Sequence, residues 1–396
     1  MQTSSSQPAK LSTASATTVV AVMTVSHFVN DNFTSLLTPL GPAIASKFGV
    51  TLAETGALVA LLSLVGSVSQ PIFGMLGDRV DRRWLAAAGP VLAAIGMTLM
   101  GYAPTFFALG MLIVLGGIGS AVFHPSGAAF VAANSNLEKR GLYASIFSAG
   151  GTAGLALGPL TATALGLNGI VWLMPLGLLM GVVSFALTPS SQTPASRKPA
   201  GWRDYVDTFS GPIRTLWGVS VLRSLSTVTY GTLIPFQFLG KETPMTIAIT
   251  LAVFSLASAL GGIVGGQISD RVGRTKVLRS SIGILIPLFA LLIVVTPTGI
   301  GVIPFWLLAF AVGAVANATV PVAVVAAQEY APGKTATTSA IMMGFSWGTA
   351  GVLYIFFAQL ANITTPIIAM LTTVALLLPA WWLTLKLPEP ERTRFE

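Results

Sequence analysis

A chain of 396 residues that is 53% hydrophobic and only 9% charged cannot present a water-facing surface of ordinary kind, since a soluble domain carries about 25% charged residues; most of its surface must meet lipid. The absence of cysteine excludes disulfides and Cys-based redox or metal sites. The net charge of +8 does not mark a nucleic-acid binder, because the basic residues fall in short loops between apolar runs.

A helix that crosses a membrane needs about 20 apolar residues. The N-terminus, 1–16, is polar and Ser/Thr-rich, with no apolar core followed by a small-residue cleavage pattern; a disordered tail is expected there rather than a signal peptide. Twelve spans are then predicted, at 17–43, 53–77, 84–103, 106–133, 141–165, 168–188, 213–239, 246–269, 277–296, 301–327, 335–360 and 365–387. The stretch 189–212, rich in Pro, Ser and basic residues, separates a six-span bundle over 17–188 from a second over 213–387, and 388–396 forms a second tail. Of the 21 Lys and Arg, all but Lys47, Lys241 and Arg223 collect on one side, which the positive-inside rule makes cytoplasmic, along with both termini and the linker.

The turn after span 2 reads Gly74-Met75-Leu76-Gly77-Asp78-Arg79-Val80-Asp81-Arg82. The turn after span 8 reads Gly266-Gln267-Ile268-Ser269-Asp270-Arg271-Val272-Gly273-Arg274. Both fit Gly-x-x-x-Asp-Arg-Val-x-Arg, half a chain apart, so the protein is two related halves. Phe147-Ser148 and Gly151-Thr152-Ala153-Gly154 recur as Phe345-Ser346 and Gly348-Thr349-Ala350-Gly351, and Pro125 has its counterpart in Pro321. Asp78 and Asp270 sit at helix C-termini, where the helix dipole disfavours a carboxylate. Each needs a neighbouring arginine or the N-terminus of another helix. Seated on a helix of the opposite half, they would latch the cytoplasmic face. The plainer alternative is that they mark helix ends.

This layout resembles the major facilitator superfamily: an all-α membrane protein of 12 transmembrane helices in two pseudo-symmetric six-helix bundles. The resemblance implies that Gly74, Asp78, Arg79 and Arg82, with Gly266, Asp270, Arg271 and Arg274, act as a conformational latch, and that Glu329 is the acidic partner of the second copy. Ser26-His27-Phe28-Val29-Asn30-Asp31 and Gly117-Ile118-Gly119-Ser120-Ala121-Val122-Phe123-His124-Pro125 resemble the fosmidomycin-resistance branch of drug efflux proteins. That branch commonly has Glu after Phe-His-Pro, where this chain has Ser126. Gly154-x-x-x-Gly158-Pro159 resembles the span-5 motif of drug antiporters. The paired glycines that usually follow are replaced by Leu160-Thr161-Ala162-Thr163. The same glycines also suit tight helix packing.

Ionisable groups well inside spans are costly and face a cavity or a partner. The candidates are His27, Asp31, His124 and Arg223, with Asn30 beside the first pair. His27 and Asp31 share a helix face at i, i+4, so protonation of either is tuned by the other; the alternative is a structural hydrogen-bonded pair. Asp31 and Arg223 are separated by 192 residues, the offset of the charged turns, and so hold equivalent places in the two halves. They would form an inter-half ion pair, or share the anionic part of a substrate, if both face the central path; otherwise each pairs within its own half. His124 either bonds the carbonyl freed by Pro125 or lines the cavity. Gln70, Tyr230, Gln237, Asn317 and Trp347 are further candidates for the path. No metal or other cofactor is expected.

These readings predict a monomeric, multi-pass transporter of a bacterial inner membrane, not an enzyme. Its partners are lipid, protons as coupling ion, and a small amphipathic or anionic substrate such as an antibiotic, exported by antiport. The alternatives are a symporter or facilitator that imports a small organic nutrient, and, from another class, a membrane-embedded receptor or enzyme.

Overall fold

The computed structural model describes residues 15–77, 79–134, 140–190, 202–332 and 334–390. The described residues form helices and connecting turns, with no strand. Among the described residues, nine stretches are long and apolar enough to cross a membrane, and one of them, Ile146–Leu187, covers two of the expected spans. Gly166, at φ 66°, interrupts the helix assigned to Arg140–Gly169 and turns the chain back between spans 5 and 6; the left-handed backbone there suits a residue without Cβ. Two more expected spans are the helices Ala16–Ser35 and Gly211–Gln237. They are less uniformly apolar because they carry Asn30, Asp31, Asn32 and Arg223 in their interiors.

Several boundaries differ from expectation. Span 1, expected over 17–43, ends as a helix at Ser35; turns follow, then a short helix, Gly41–Phe48. Pro39 and Pro42 lack the N–H groups a continuous helix would use there, and the apolar run conceals this break. Span 2 comprises Leu52–Ser63, a π-helical segment Leu64–Val68, and Gln70–Gly77. Span 11 is built alike, as Thr335–Ala340, the π-helical Ile341–Phe345 and Ser346–Ile363. The linker expected at 189–212 contains a short helix, Trp202–Thr208; most of the two expected tails lies outside the described residues.

Helix ends opposite the charged turns share one device. Thr51, Thr105, Thr243, Thr296 and Thr365 each accept a backbone N–H through the side chain at a helix start. Thr51 completes a capping box with Glu54. Such caps satisfy donors that lipid could not.

Within each half the helices pack through small residues. A Cβ at Gly119 would stand 2.5 Å from the Ala93 nitrogen, and one at Gly261 would stand 2.0 Å from the Ala314 oxygen. Only a bare backbone permits such approach between spans 3 and 4 and between spans 8 and 10. Across the halves, Leu52–Ser63 packs on Ser346–Ile363, and Arg140–Gly169 packs on Pro244–Val272. At the end opposite the charged turns, a Cβ at Gly56 would meet that of Ala358 at 2.3 Å, and one at Gly41 would meet the Phe236 ring at 2.9 Å. That end is drawn tightly together.

Candidate functional site

The polar centre of the first half lies between spans 1, 4 and 5. Asp31 is 7% exposed and faces two imidazoles: His27 Nε2 is 3.2 Å from Oδ2, and His124 Nε2 is 3.2 Å from Oδ1. Asn30 Nδ2 donates to Oδ1 at 3.2 Å. Both imidazoles are anchored from behind. His27 Nδ1 lies 2.8 Å from the Phe147 carbonyl on span 5, and His124 Nδ1 lies 2.8 Å from the Ser120 carbonyl one turn earlier on span 4. The His27 ring also stacks on Phe147 at 4.2 Å and meets His124 edge-on at 5.0 Å.

This geometry fixes the tautomers. A carbonyl oxygen can only accept, so each Nδ1 carries a proton and donates it. Each Nε2 then meets a carboxylate oxygen, and a hydrogen bond between them needs one proton per contact. The cluster is fully bonded with two such protons, whether they sit on the imidazoles or one sits on Asp31. Removing one leaves a nitrogen lone pair facing a carboxylate oxygen. The three side chains therefore share their protons through one set of hydrogen bonds.

Gly151 makes room for the cluster. A Cβ there would lie 2.4 Å from His27 Nε2 and 2.7 Å from Asp31 Oδ2. The motif glycines continue the same face of span 5 along span 1: a Cβ at Gly154 would lie 2.2 Å from the Phe28 carbonyl oxygen, and one at Gly158 would lie 1.7 Å from Ser35 Oγ. Pro159 lies inside the helix one residue on. Ser126, where the resembling branch has Glu, is 2% exposed and its Oγ has no hydrogen-bond partner among the described residues. His27, Asp31 and His124 could also offer ligand atoms within 4.8 Å of one another. Their contacts are already those of hydrogen bonds, and no fourth ligand joins them among the described residues.

The second half is different. Arg223, 3% exposed, forms no ion pair with Asp31, so the expected cross-path pair is absent in this conformation. Asp31 is engaged within its own half. Arg223 Nη2 donates to Ser224 Oγ at 2.8 Å, and the guanidinium lies 5.6 Å from the Trp347 ring centroid. The other candidates for the path diverge. Tyr230 is 1% exposed and packs on Phe254 and Phe289 in the core of its half. Asn317 donates to the Ser258 carbonyl at 2.8 Å and ties span 10 to span 8. Gln70 Nε2 donates to the Gly66 carbonyl at 3.0 Å, while its Oε1 faces Gly344 of the opposite half. Gln237 is buried at the end of span 7.

The charged turns also differ from each other. In the second copy, Arg274 donates through Nε and Nη2 to both oxygens of buried Glu329, at 3.2 and 3.1 Å. It donates through Nη1 to Ser269 Oγ and to Asp270. Asp270 therefore pairs inside its own half, with its side chain 65% exposed, rather than seating on a helix of the other half. The reason is proximity: Arg274 stands one helical turn away. Arg271 is exposed and Gly266 has open space around it. In the first copy, Asp78 lies outside the described residues. Gly74 is in van der Waals reach of Pro125, Arg79 is exposed, and Arg82 Nε donates to the Gly77 carbonyl at 3.1 Å.

One partner was not foreseen. Glu389 accepts the backbone N–H of Arg274 at 2.5 Å and that of Thr275 at 3.1 Å, capping span 9 from the C-terminal segment. Tyr330 Oη donates to the adjacent Pro388 carbonyl at 2.5 Å. The sequence signal was an acidic residue held between two prolines, Pro388-Glu389-Pro390, on the basic side.

Twelve helical spans in two related halves, with ionisable groups buried between them, define a secondary transporter fold. The family model of the Major Facilitator Superfamily matches residues 23–355 and 216–396. The chain belongs to that superfamily. It is 27% identical over 372 residues to the fosmidomycin resistance protein of Escherichia coli (strain K12), covering 88% of this chain and 89% of that one. It is 27% identical over 388 residues to an uncharacterized MFS-type transporter of Bacillus subtilis (strain 168), covering 91% and 93%. Among solved structures, a bacterial homolog of the human lysosomal transporter Spinster superposes with a TM-score of 0.77 at 16% identity, over 94% of this chain and 97% of that one.

Proposed function

We propose that the protein is a proton-coupled exporter of small amphipathic or anionic compounds, working by alternating access between its two six-helix halves. The observation that carries this reading is the cluster of Asp31, His27 and His124. It bridges spans 1, 4 and 5, and its bonding depends on its proton count. A proton lost or gained there changes the adhesion among three helices, so it biases one packing of the half over another. Substrate binding on the same path would shift the same equilibrium, and the two events become linked.

Export is supported by the Gly154-x-x-x-Gly158-Pro159 stretch and by relatives named for fosmidomycin resistance and multidrug resistance. Another relative, from Staphylococcus aureus, is named as a staphyloferrin B transporter. The charge asymmetry of the loops supports a bacterial inner membrane, with both termini and the linker on the cytoplasmic side. The paired charged turns would act as latches at that face, with Arg274 and Glu329 as the lock of the second half.

Purified protein in proteoliposomes with an imposed pH gradient tests this. Asp31→Asn should retain the fold by circular dichroism and lose gradient-driven substrate flux. Unchanged gradient-driven flux in that variant overturns the reading. The sign of the flux relative to the proton gradient distinguishes antiport from symport.

A further inference from the structure

Arg223 is 12 residues into the helix Gly211–Gln237, so it sits about 18 Å along it and far from either interface. It is 3% exposed. A guanidinium has five N–H donors, and hydrogen bonding here uses Nη2, toward the neutral Ser224 Oγ. No carboxylate lies within ion-pair distance of it among the described residues. The sequence offers none elsewhere: of 13 Asp and Glu, Asp31 alone lies deep inside a span, and both its oxygens face imidazoles. A buried cation left without a partner is strongly unfavourable.

The internal repeat sharpens the contrast. Asp31 and Arg223 are equivalent positions. In the first half, His124 before Pro125 and the small Gly151 complete a self-neutralising cluster. In the second half, the residue before Pro321 is Val320, and the residue before Gly348 is Trp347. The second half thus has a cation with Val219 and Val320 where the first has an acid with two bases, and Trp347 stands in the place of Gly150. Trp347 keeps 39% of its surface exposed beside the guanidinium. A flat apolar face next to unused, fork-shaped donors fits an oxyanion carried on a planar body.

We propose that Arg223 and Trp347 form the subsite that receives the anionic end of the transported molecule, which makes small aryl phosphonates and carboxylates the preferred substrate class. The inference rests on the transport reading above, but not on its proton coupling. The oxyanion neutralises Arg223 through paired charge-assisted hydrogen bonds, and the ring lies against the indole. Inorganic phosphate shares the headgroup chemistry and lacks the ring.

The test is binding to the purified full chain in detergent, without a proton gradient, read as ligand-dependent thermal stabilisation. Phenylphosphonate and benzoate should each stabilise the protein. Diethyl phenylphosphonate, which is neutral, and benzyltrimethylammonium should not. Arg223→Gln should weaken phenylphosphonate binding about tenfold or more, as loss of a charged hydrogen-bond pair does, while Arg223→Lys keeps part of it. Trp347→Ala should erase the preference for phenylphosphonate over methylphosphonate, and it carries the test if Arg223→Gln does not fold. Stabilisation by neither anion, equal stabilisation by the neutral ester or the cation, or undiminished binding in a folded Arg223→Gln overturns the proposal. So does inorganic phosphate binding as tightly as phenylphosphonate. Because no gradient is present, failure here leaves the coupling role of Asp31 to be judged by flux alone.

Discussion

A single hydrogen atom on Gly151 decides whether the polar cluster can exist. The position where a methyl group would sit is 2.4 Å from His27 Nε2 and 2.7 Å from Asp31 Oδ2, and neither side chain can swing away without breaking its anchor. Gly151→Ala should therefore separate the imidazole from the carboxylate and cost about 1–3 kcal/mol, as overpacking does. Gradient-driven flux should fall, with a lowered melting temperature as the accompanying measure; wild-type flux in this variant would show that the cluster tolerates disruption. Each of the two contacts of Asp31 with an imidazole uses one shared proton. His124→Gln should flatten the pH profile of transport, because one of the two proton-dependent contacts is gone. The pairing of His27 with Asp31 was legible from their spacing on one helix. The arrival of His124 was not, since it comes from another span and depends on helix packing that no local pattern encodes. The repeat offset relates Asp31 to Arg223 in sequence, but a shared offset does not place two side chains against each other.

At the scale of helices, apolar runs and loop charge were sufficient to read the spans, because lipid imposes a minimum length on every one. They failed where helix breakers hide inside apolar stretches, as at Pro39 and Pro42. They were also silent about the π-helical segments Leu64–Val68 and Ile341–Phe345. These segments face each other across the halves, with Gly344 against Ser67 and Gln70. A π turn holds one extra residue and leaves the backbone less rigid than an α-helix, which suits the point where spans 2 and 11 must change their mutual angle. The charged turns show the same gap between pattern and partner: two matching motifs end in different contacts. Glu329 and Arg274 have side chains 3% and 11% exposed and meet in a two-point pair. Breaking such a buried pair by removing one member costs about 3–5 kcal/mol. Glu329→Ala should lower the melting temperature clearly. Glu389→Ala removes a helix cap instead, for about 0.5–2 kcal/mol. A smaller loss for Glu329→Ala than for Glu389→Ala would contradict this ranking.

For the whole molecule, alternating access requires the two halves to rock about their shared seams, which are spans 2 with 11 and spans 5 with 8. Packed interfaces switch between discrete arrangements rather than deforming smoothly. The seam of spans 2 and 11 is closed at the end opposite the charged turns by the fit of Gly56 on Ala358 and Tyr354, and it continues toward mid-span through Gly351 on Ser63. A side chain at Gly56 is a wedge in that seam, since even its Cβ would overlap Ala358. Gly56→Leu should therefore push the halves apart at that end and favour the opposite packing. Because the chain has no native cysteine, spin labels can be placed at Thr51 and Thr365, which start spans 2 and 12 at the same end and in different halves. Pulsed electron paramagnetic resonance should then show a longer distance between the labels in Gly56→Leu than in its parent. The melting temperature should fall modestly, because the displaced contacts lie at one seam and leave each half's own core intact. An unchanged label distance in a folded Gly56→Leu would mean that the seam yields locally. The closed end would then have to be held by the contact of Gly41 with Phe236, where a second wedge at Gly41 would become the discriminating variant.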